Sequence, residues 1–88
     1  MDLKLNWHEP KRLATLAERG LDFVDAAIVF AHISVEFEDA RADYGEKRMI
    51  FFGYLHGRLL AIAYVQRGEL RHIFSMRKAN EREQNIFG

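Results

Sequence analysis

Apolar and polar residues alternate from Leu3 to Asn6, the period of a short strand. The period then lengthens. Leu13, Leu16, Ala17 and Gly20 follow the i, i+3, i+4, i+7 spacing of a helix with one apolar face. His8 or Glu9 opens this helix. Pro10 fits its first turn, where the missing N–H would have had no partner. Gly20 is its natural stop, because glycine enters the left-handed region at low cost. Asp22 caps a second, shorter helix whose Phe23, Ala26, Ala27 and Phe30 repeat the helical spacing. A strand is expected from Ile33 to Phe37, and the loop "ADYGEK" follows.

The second half reads as a meander of strands. "RMIFFGYL" is rich in strand formers, and "HG" at 56–57 supplies turn chemistry. "LLAIAYV" is apolar on both faces, as a central covered strand requires. After the turn "QRGE", strict alternation through "LRHIFSMR" predicts two rows. Leu70, His72, Phe74 and Met76 face the core; Arg71, Ile73, Ser75 and Arg77 form the other row. Asn80 and Glu83 have the three-residue spacing of a capping box, so a short helix closes the chain. The expected order is β-α-α-β-β-β-β-α. It describes an α+β fold with two N-terminal helices, a mainly antiparallel sheet of four to five strands and a short C-terminal helix.

The 88 residues suit one domain, 1–88, with no repeat, linker or low-complexity segment. Cysteine is absent, which excludes disulfides and thiolate metal sites and suits a reducing compartment. The longest apolar run, Leu59 to Val65, is too short to span a bilayer. A cytoplasmic protein without membrane contact is expected. The net charge of zero conceals an asymmetry. Residues 1–45 hold five Lys/Arg against nine Asp/Glu, and residues 46–88 hold eight against four. A basic half points to a polyanionic or acidic partner, unless the halves neutralise each other on folding.

Candidate chemistry narrows by elimination. His8, His32, His56 and His72 form no H-x-x-x-H pair, so no zinc site is expected. His56 belongs to a turn, and His72 to the core or its edge. Ser75 has no G-x-S-x-G around it, and no phosphate-binding glycine loop occurs. No cofactor is implied. A basic constellation remains: Arg71, Ser75 and Arg77 on one strand, Arg67 in the preceding turn, and Lys78 and Arg82 just beyond. At about 3.3 Å per residue, Arg71 and Ser75 stand about 13 Å apart, a row able to track phosphates. Tyr44, Tyr54 and Tyr64 are candidates for stacking on bases. The alternative is a solvated face whose arginines pair with Glu46, Glu69 and the acidic loop that carries Glu36, Glu38, Asp39 and Asp43.

These segments resemble the BrnT toxins, the ribonuclease halves of BrnT–BrnA type II toxin–antitoxin systems. The matching pieces are "NWHEPKRLATLAERGLDFVDAAIVF" and "YGEKRMIFFGYLHGRLLAIAYVQRGELRHIFSMRKANERE". The second is the more specific, with Gly45-Glu46, Arg48, Gly53, Gly57-Arg58-Leu59-Leu60, Arg67-Gly68, Arg71-x-Ile73-x-Ser75-x-Arg77-x-Ala79 and Glu83 in order. The resemblance implies a RelE-like fold, metal-independent RNA cleavage and inhibition of translation. It also implies neutralisation by BrnA, a ribbon-helix-helix antitoxin, in a 2:2 assembly that binds promoter DNA only through the antitoxin.

On that reading Arg67, Arg71 and Arg77 stabilise the charge developing at phosphorus, with Lys78 as a further cation or proton donor. Glu46 is a candidate general base, or orients an arginine; Arg48, Ser75 and Tyr64 bind RNA. The chain departs from the family pattern in its first helix. Thr15 and Glu18-Arg19-Gly20 stand where Asn and Lys-His-Gly are usual, and His8 replaces an Asp. Arg19 stays protonated and cannot copy a histidine's acid–base role.

Overall fold

The computed structural model describes residues 3–32 and 34–88. Strand β1 (Lys4–Trp7) leads into helix α1 (Glu9–Arg19), a short 3-10 turn (Phe23–Asp25) and helix α2 (Ala26–Phe30). Strands β2 (Val35–Glu38), β3 (Arg48–Leu55), β4 (Arg58–Arg67) and β5 (Leu70–Lys78) follow, and helix α3 (Glu81–Phe87) closes the chain. Ile33, the expected first residue of β2, lies outside the described residues. The strands form one sheet in the order β1-β5-β4-β3-β2. All neighbours run antiparallel except β1, which adds to β5 in parallel. No helix among the described residues is long and apolar enough to cross a membrane.

Each boundary has a local cause. Gly20 ends α1 at φ 69°, its N–H donating to the Leu16 carbonyl. Asp22 accepts the Val24 N–H and so opens the 3-10 turn rather than α2 itself. His56 and Gly57, at φ 50° and 79°, make the tight turn between β3 and β4, where both central residues need positive φ. Asn80 and Glu83 form the expected capping box.

The sheet has two covered faces. On one, α2 and the 3-10 turn pack Phe23, Ala26 and Val29 against Phe51, Leu60, Ile62, Tyr64, Ile73 and Met76. On the other, α3 covers Phe52, Leu59, Ala61 and Ala79. Its Phe87 stacks on Phe52 with ring centroids 4.5 Å apart. The first is the α2 face and the second the α3 face.

Two expected helix faces change. Leu13 and Leu16 are exposed, and the buried residue of α1 is Thr15 at 7%. The reason is placement. α1 packs against β5, where β1 no longer flanks that strand beyond Ile73. Arg19 donates to the Met76 carbonyl of β5 at 3.0 Å. A helix beside a strand edge covers less apolar surface than one lying across a face. In α2 the buried residues are Ala26 and Val29, whereas Ala27 is exposed.

The larger correction concerns β5. Ser75 pairs with Ala63 and Ile73 with Tyr64, so one residue, Phe74, is inserted between consecutive partners. This β-bulge breaks the period of two. Ile73 and Met76 both enter the α2-face core. Arg71 shares that face, stacked on Tyr64 and Phe30. Ser75 and Arg77 lie on the α3 face with Ala63 and Ala61. The single row of Arg71, Ile73, Ser75 and Arg77 therefore does not exist.

The fold also fixes one close approach. A Cβ on Gly53 would stand 2.7 Å from Val29 Cγ1 and 2.9 Å from the Phe51 ring. We predict that Gly53→Ala forces α2 from β3 at a cost of about 1–3 kcal/mol. Thermal unfolding checks this, with a midpoint lowered by at least about 4 °C.

Candidate nucleic-acid interface

The α3 face carries the basic cluster at the end where β3 begins and β4 ends. Its centre is Arg48. The guanidinium lies 4.2 Å from the Phe74 ring centroid and 4.5 Å from that of Tyr44. Two aromatic faces thus hold one cation between them. Tyr44 is itself fixed, its hydroxyl donating to Asp39 at 3.1 Å. Asp39 is buried and accepts two further bonds from the Arg41 guanidinium, at 2.8 and 2.7 Å. Those bonds hold its carboxyl well below the usual range. The order is Asp39, Tyr44, Arg48, Phe74, and it runs from the acidic loop to the bulge.

Arg67 stands beside this stack, 5.8 Å from the Phe74 centroid. Its Nε and Nη2 both donate to Glu46, each at 2.7 Å, a fork-to-fork pair. Glu46 is thereby held below its ordinary value, chiefly by the Arg67 bonds. A carboxylate in that state is a poor proton acceptor. Tyr44, Glu46, Arg48, Val65, Arg67 and Phe74 line a cavity of about 170 Å³. The Nε of Arg48 is buried with no hydrogen-bond partner among the described residues.

His72 borders the cluster, its ring 4.9 Å from Phe74 in an edge-to-face arrangement. Its Nδ1 lies 3.0 Å from Asn6 Oδ1 on β1. Burial first, then the Arg67 charge, lowers its pKa from the ordinary 6.5, with His8 and Lys11 adding to the effect and Glu46 opposing it. Lys11 is likewise lowered, by burial and then by Arg48 and Arg19.

Farther along β5, Arg77 donates from both Nη atoms to Glu83 of α3, at 2.7 and 2.9 Å. Glu83 also accepts the Asn80 N–H. Arg77, Lys78, Glu18 and Arg19 line a shallow cleft between α1 and the end of β5. A cleft of about 650 Å³ at the opposite end of the sheet is lined by Lys78 and by Tyr54, which is thereby set apart from the Arg48 cluster.

The sheet thus brings Arg67, Glu46 and Arg48 together, with Ser75 and Arg77 farther along the same face and Lys78 at the end of β5, in register with Leu60 of the other face. It separates Arg71 and Tyr64, which lie on the α2 face. Arg71 stacks on Tyr64 at 4.2 Å and on Phe30 at 4.7 Å. Tyr64 is 3% exposed, and its hydroxyl donates to Glu36. Burial and that bond push its pKa up to about 12. Neither of its ring faces is open to a base. Phe74, His72 and Lys11 join the site without having been named for it from the sequence. Only the bulge brings Phe74 to this face, and period-two reading has no signal for a bulge. The expected neutralisation between halves is slight among the described residues. Lys4–Glu69 crosses between them, whereas Arg67–Glu46, Arg77–Glu83 and Arg41–Asp39 are each within one half.

Two N-terminal helices, a five-stranded mixed sheet and a short C-terminal helix, with a cationic aromatic cluster on one sheet face, define an α+β protein of the kind expected from the resemblance to RelE-like toxins. The model of the BrnT family, ribonuclease toxins of type II toxin–antitoxin systems, matches residues 7–83. The chain belongs to that family. A search of the curated proteins returns no match.

The Arg77–Glu83 pair has a definite pH signature. Glu83 is depressed from 4.5, mainly by Arg77. Its contribution is therefore complete above the unfolded value and is lost as pH falls through the lower folded value. We predict that Glu83→Gln, which keeps the capping geometry, costs about 1 kcal/mol at neutral pH, allowing for the partly exposed arginine. In urea unfolding the difference from the unmodified protein shrinks as pH drops below about 4.

Proposed function

We propose that the protein is an endoribonuclease that cuts RNA without a metal, inhibits translation in the cytoplasm and is neutralised by a BrnA-like ribbon-helix-helix antitoxin. The antitoxin dimer would join two toxin chains in a 2:2 complex that reaches promoter DNA only through the antitoxin. Membership of a ribonuclease toxin family supports the reading. The single structural observation that carries it is the Arg48–Phe74–Arg67 cluster, where two cations and two aromatic rings converge on one cavity.

The chemistry is transesterification. The RNA 2′-oxygen attacks the adjacent phosphorus, the bond to the 5′-oxygen breaks, and a cyclic phosphate and a 5′-hydroxyl result. The phosphorane carries extra negative charge, and fixed guanidinium groups stabilise it without reorganisation. Arg67 takes this role in the proposal, with Arg77 and Lys78, farther along β5, as cations for neighbouring phosphates. Arg48 and Ser75 hold flanking RNA, and Tyr44 and Phe74 set the guanidinium plane of Arg48. DNA lacks the 2′-hydroxyl and is not cut. Glu46 serves to orient Arg67, and Arg71 supports the α2-face packing.

A second reading is a binding module with little or no catalysis that titrates antitoxin. One observation favours it: Arg67 and Arg77 already hold carboxylates, which a phosphate must displace.

The two readings separate on purified protein and single-stranded RNA. Cleavage is expected, falling about 100- to 1,000-fold with Arg67→Ala. Arg48→Ala should weaken binding and reduce the salt slope by about one. Arg71→Ala should leave RNA binding intact and lower thermal stability. Binding without cleavage establishes the inert module; loss of RNA binding in Arg71→Ala moves the interface to the α2 face.

A further inference from the structure

Among the described residues of the site, Glu46 and Arg19 are not free to take the 2′-hydroxyl proton. Glu46 has both oxygens on Arg67. Arg19, at the end of α1, is a cation bonded to the Met76 carbonyl. His72 has the required connections. It sits on the α3 face opposite Val65 in the β4–β5 register, with its ring edge against Phe74. The oxygen of Asn6 can only accept, so Nδ1 of His72 carries the hydrogen in the 3.0 Å contact. Nε2 then bears the lone pair.

We propose that His72 is the general base of this enzyme, taking the 2′-hydroxyl proton on Nε2, and that Asn6 is the positioning residue that fixes its tautomer. The inference rests on the ribonuclease reading above. The balance is simple. The 2′-oxygen forms its bond to phosphorus as its proton passes to Nε2. The 5′-oxygen leaves with the electron pair of the broken bond and takes a proton from water. His72 returns its proton to solvent.

The surroundings favour a neutral imidazole. Arg67, Lys11 and His8 face it with positive charge or potential positive charge, and Glu46 opposes them. Arg48 stacks on the same Phe74 ring. Burial, the largest cause, and the cations beside it together hold the pKa of the ring below the ordinary 6.5. A base held neutral by adjacent cations is weaker, yet it is available at neutral pH, and those cations also lower the pKa of a bound 2′-hydroxyl.

The test is a pH–rate profile on the full chain with a single-stranded RNA oligonucleotide, and binding to its 2′-O-methyl copy. For the unmodified protein kcat should fall on the acid side, with the limb below pH 6.5. His72→Asn and His72→Gln should each lose at least about 100-fold in kcat with binding of the methylated RNA unchanged. Asn6→Asp puts a carboxylate on Nδ1 and should move the acid limb to higher pH. Activity within about threefold of normal in either His72 variant overturns the assignment. So does an acid limb that stays in place in Asn6→Asp, a result that stands even where the His72 variants fail to fold. Absence of any cleavage by the unmodified protein overturns the ribonuclease reading and this one with it. Cleavage by unaffected His72 variants overturns this one alone.

Discussion

The insertion of Phe74 into β5 is the constraint on which the arrangement depends. Without it, strict alternation would put Ile73 and Met76 on opposite faces. With it, both enter the core beneath α2, as the register on either side of the bulge requires. The same extra residue swings Phe74 to the α3 face, where it supports Arg48 and Arg67 and meets the edge of His72. One backbone irregularity thus serves packing and site assembly together. Bulges recur beside functional sites because they re-aim a side chain without ending the strand.

The second organising feature is restraint on charge. The cations of the α3 face are not free side chains on a solvated sheet. Arg48 is held by two rings, Arg67 by Glu46 and Arg77 by Glu83. Each restraint limits rotamer freedom before a ligand arrives, which lowers the ordering cost of binding. It also sets a threshold. On the proposed function, a phosphate must compete with two carboxylates for the arginines it uses, or bind beside them.

Much of the fold was legible in the chain. The capping box at Asn80 and Glu83, the stop at Gly20 and the turn at His56-Gly57 are local chemistry, and local chemistry is written in short stretches. The meander followed from apolar runs divided by turns. The buried side of α1 was not legible. Its apolar spacing is helical, but its position beside a strand edge is a tertiary fact, so Leu13 and Leu16 stay exposed. The site was half legible. The Arg67 and Glu46 positions fall together because β3 and β4 are hairpin neighbours, Arg48 pairing with Val65. Arg71 and Arg77 were grouped by a period that the bulge interrupts. His72 was read as core or edge because an imidazole's partners, here Asn6 and Phe74, come from sequence positions a strand pattern does not connect.

The central claim is that RNA runs along the α3 face and that the bulge divides the arginines of β5 between two faces. Side-chain NMR of the labelled protein titrated with 2′-O-methyl RNA tests it most directly. The account predicts shifts at Phe74, His72, Arg48 and Arg67, with Arg71 and Tyr64 unmoved. Shifts confined to Arg71 and Tyr64 would contradict it, because they would place the ligand on the α2 face.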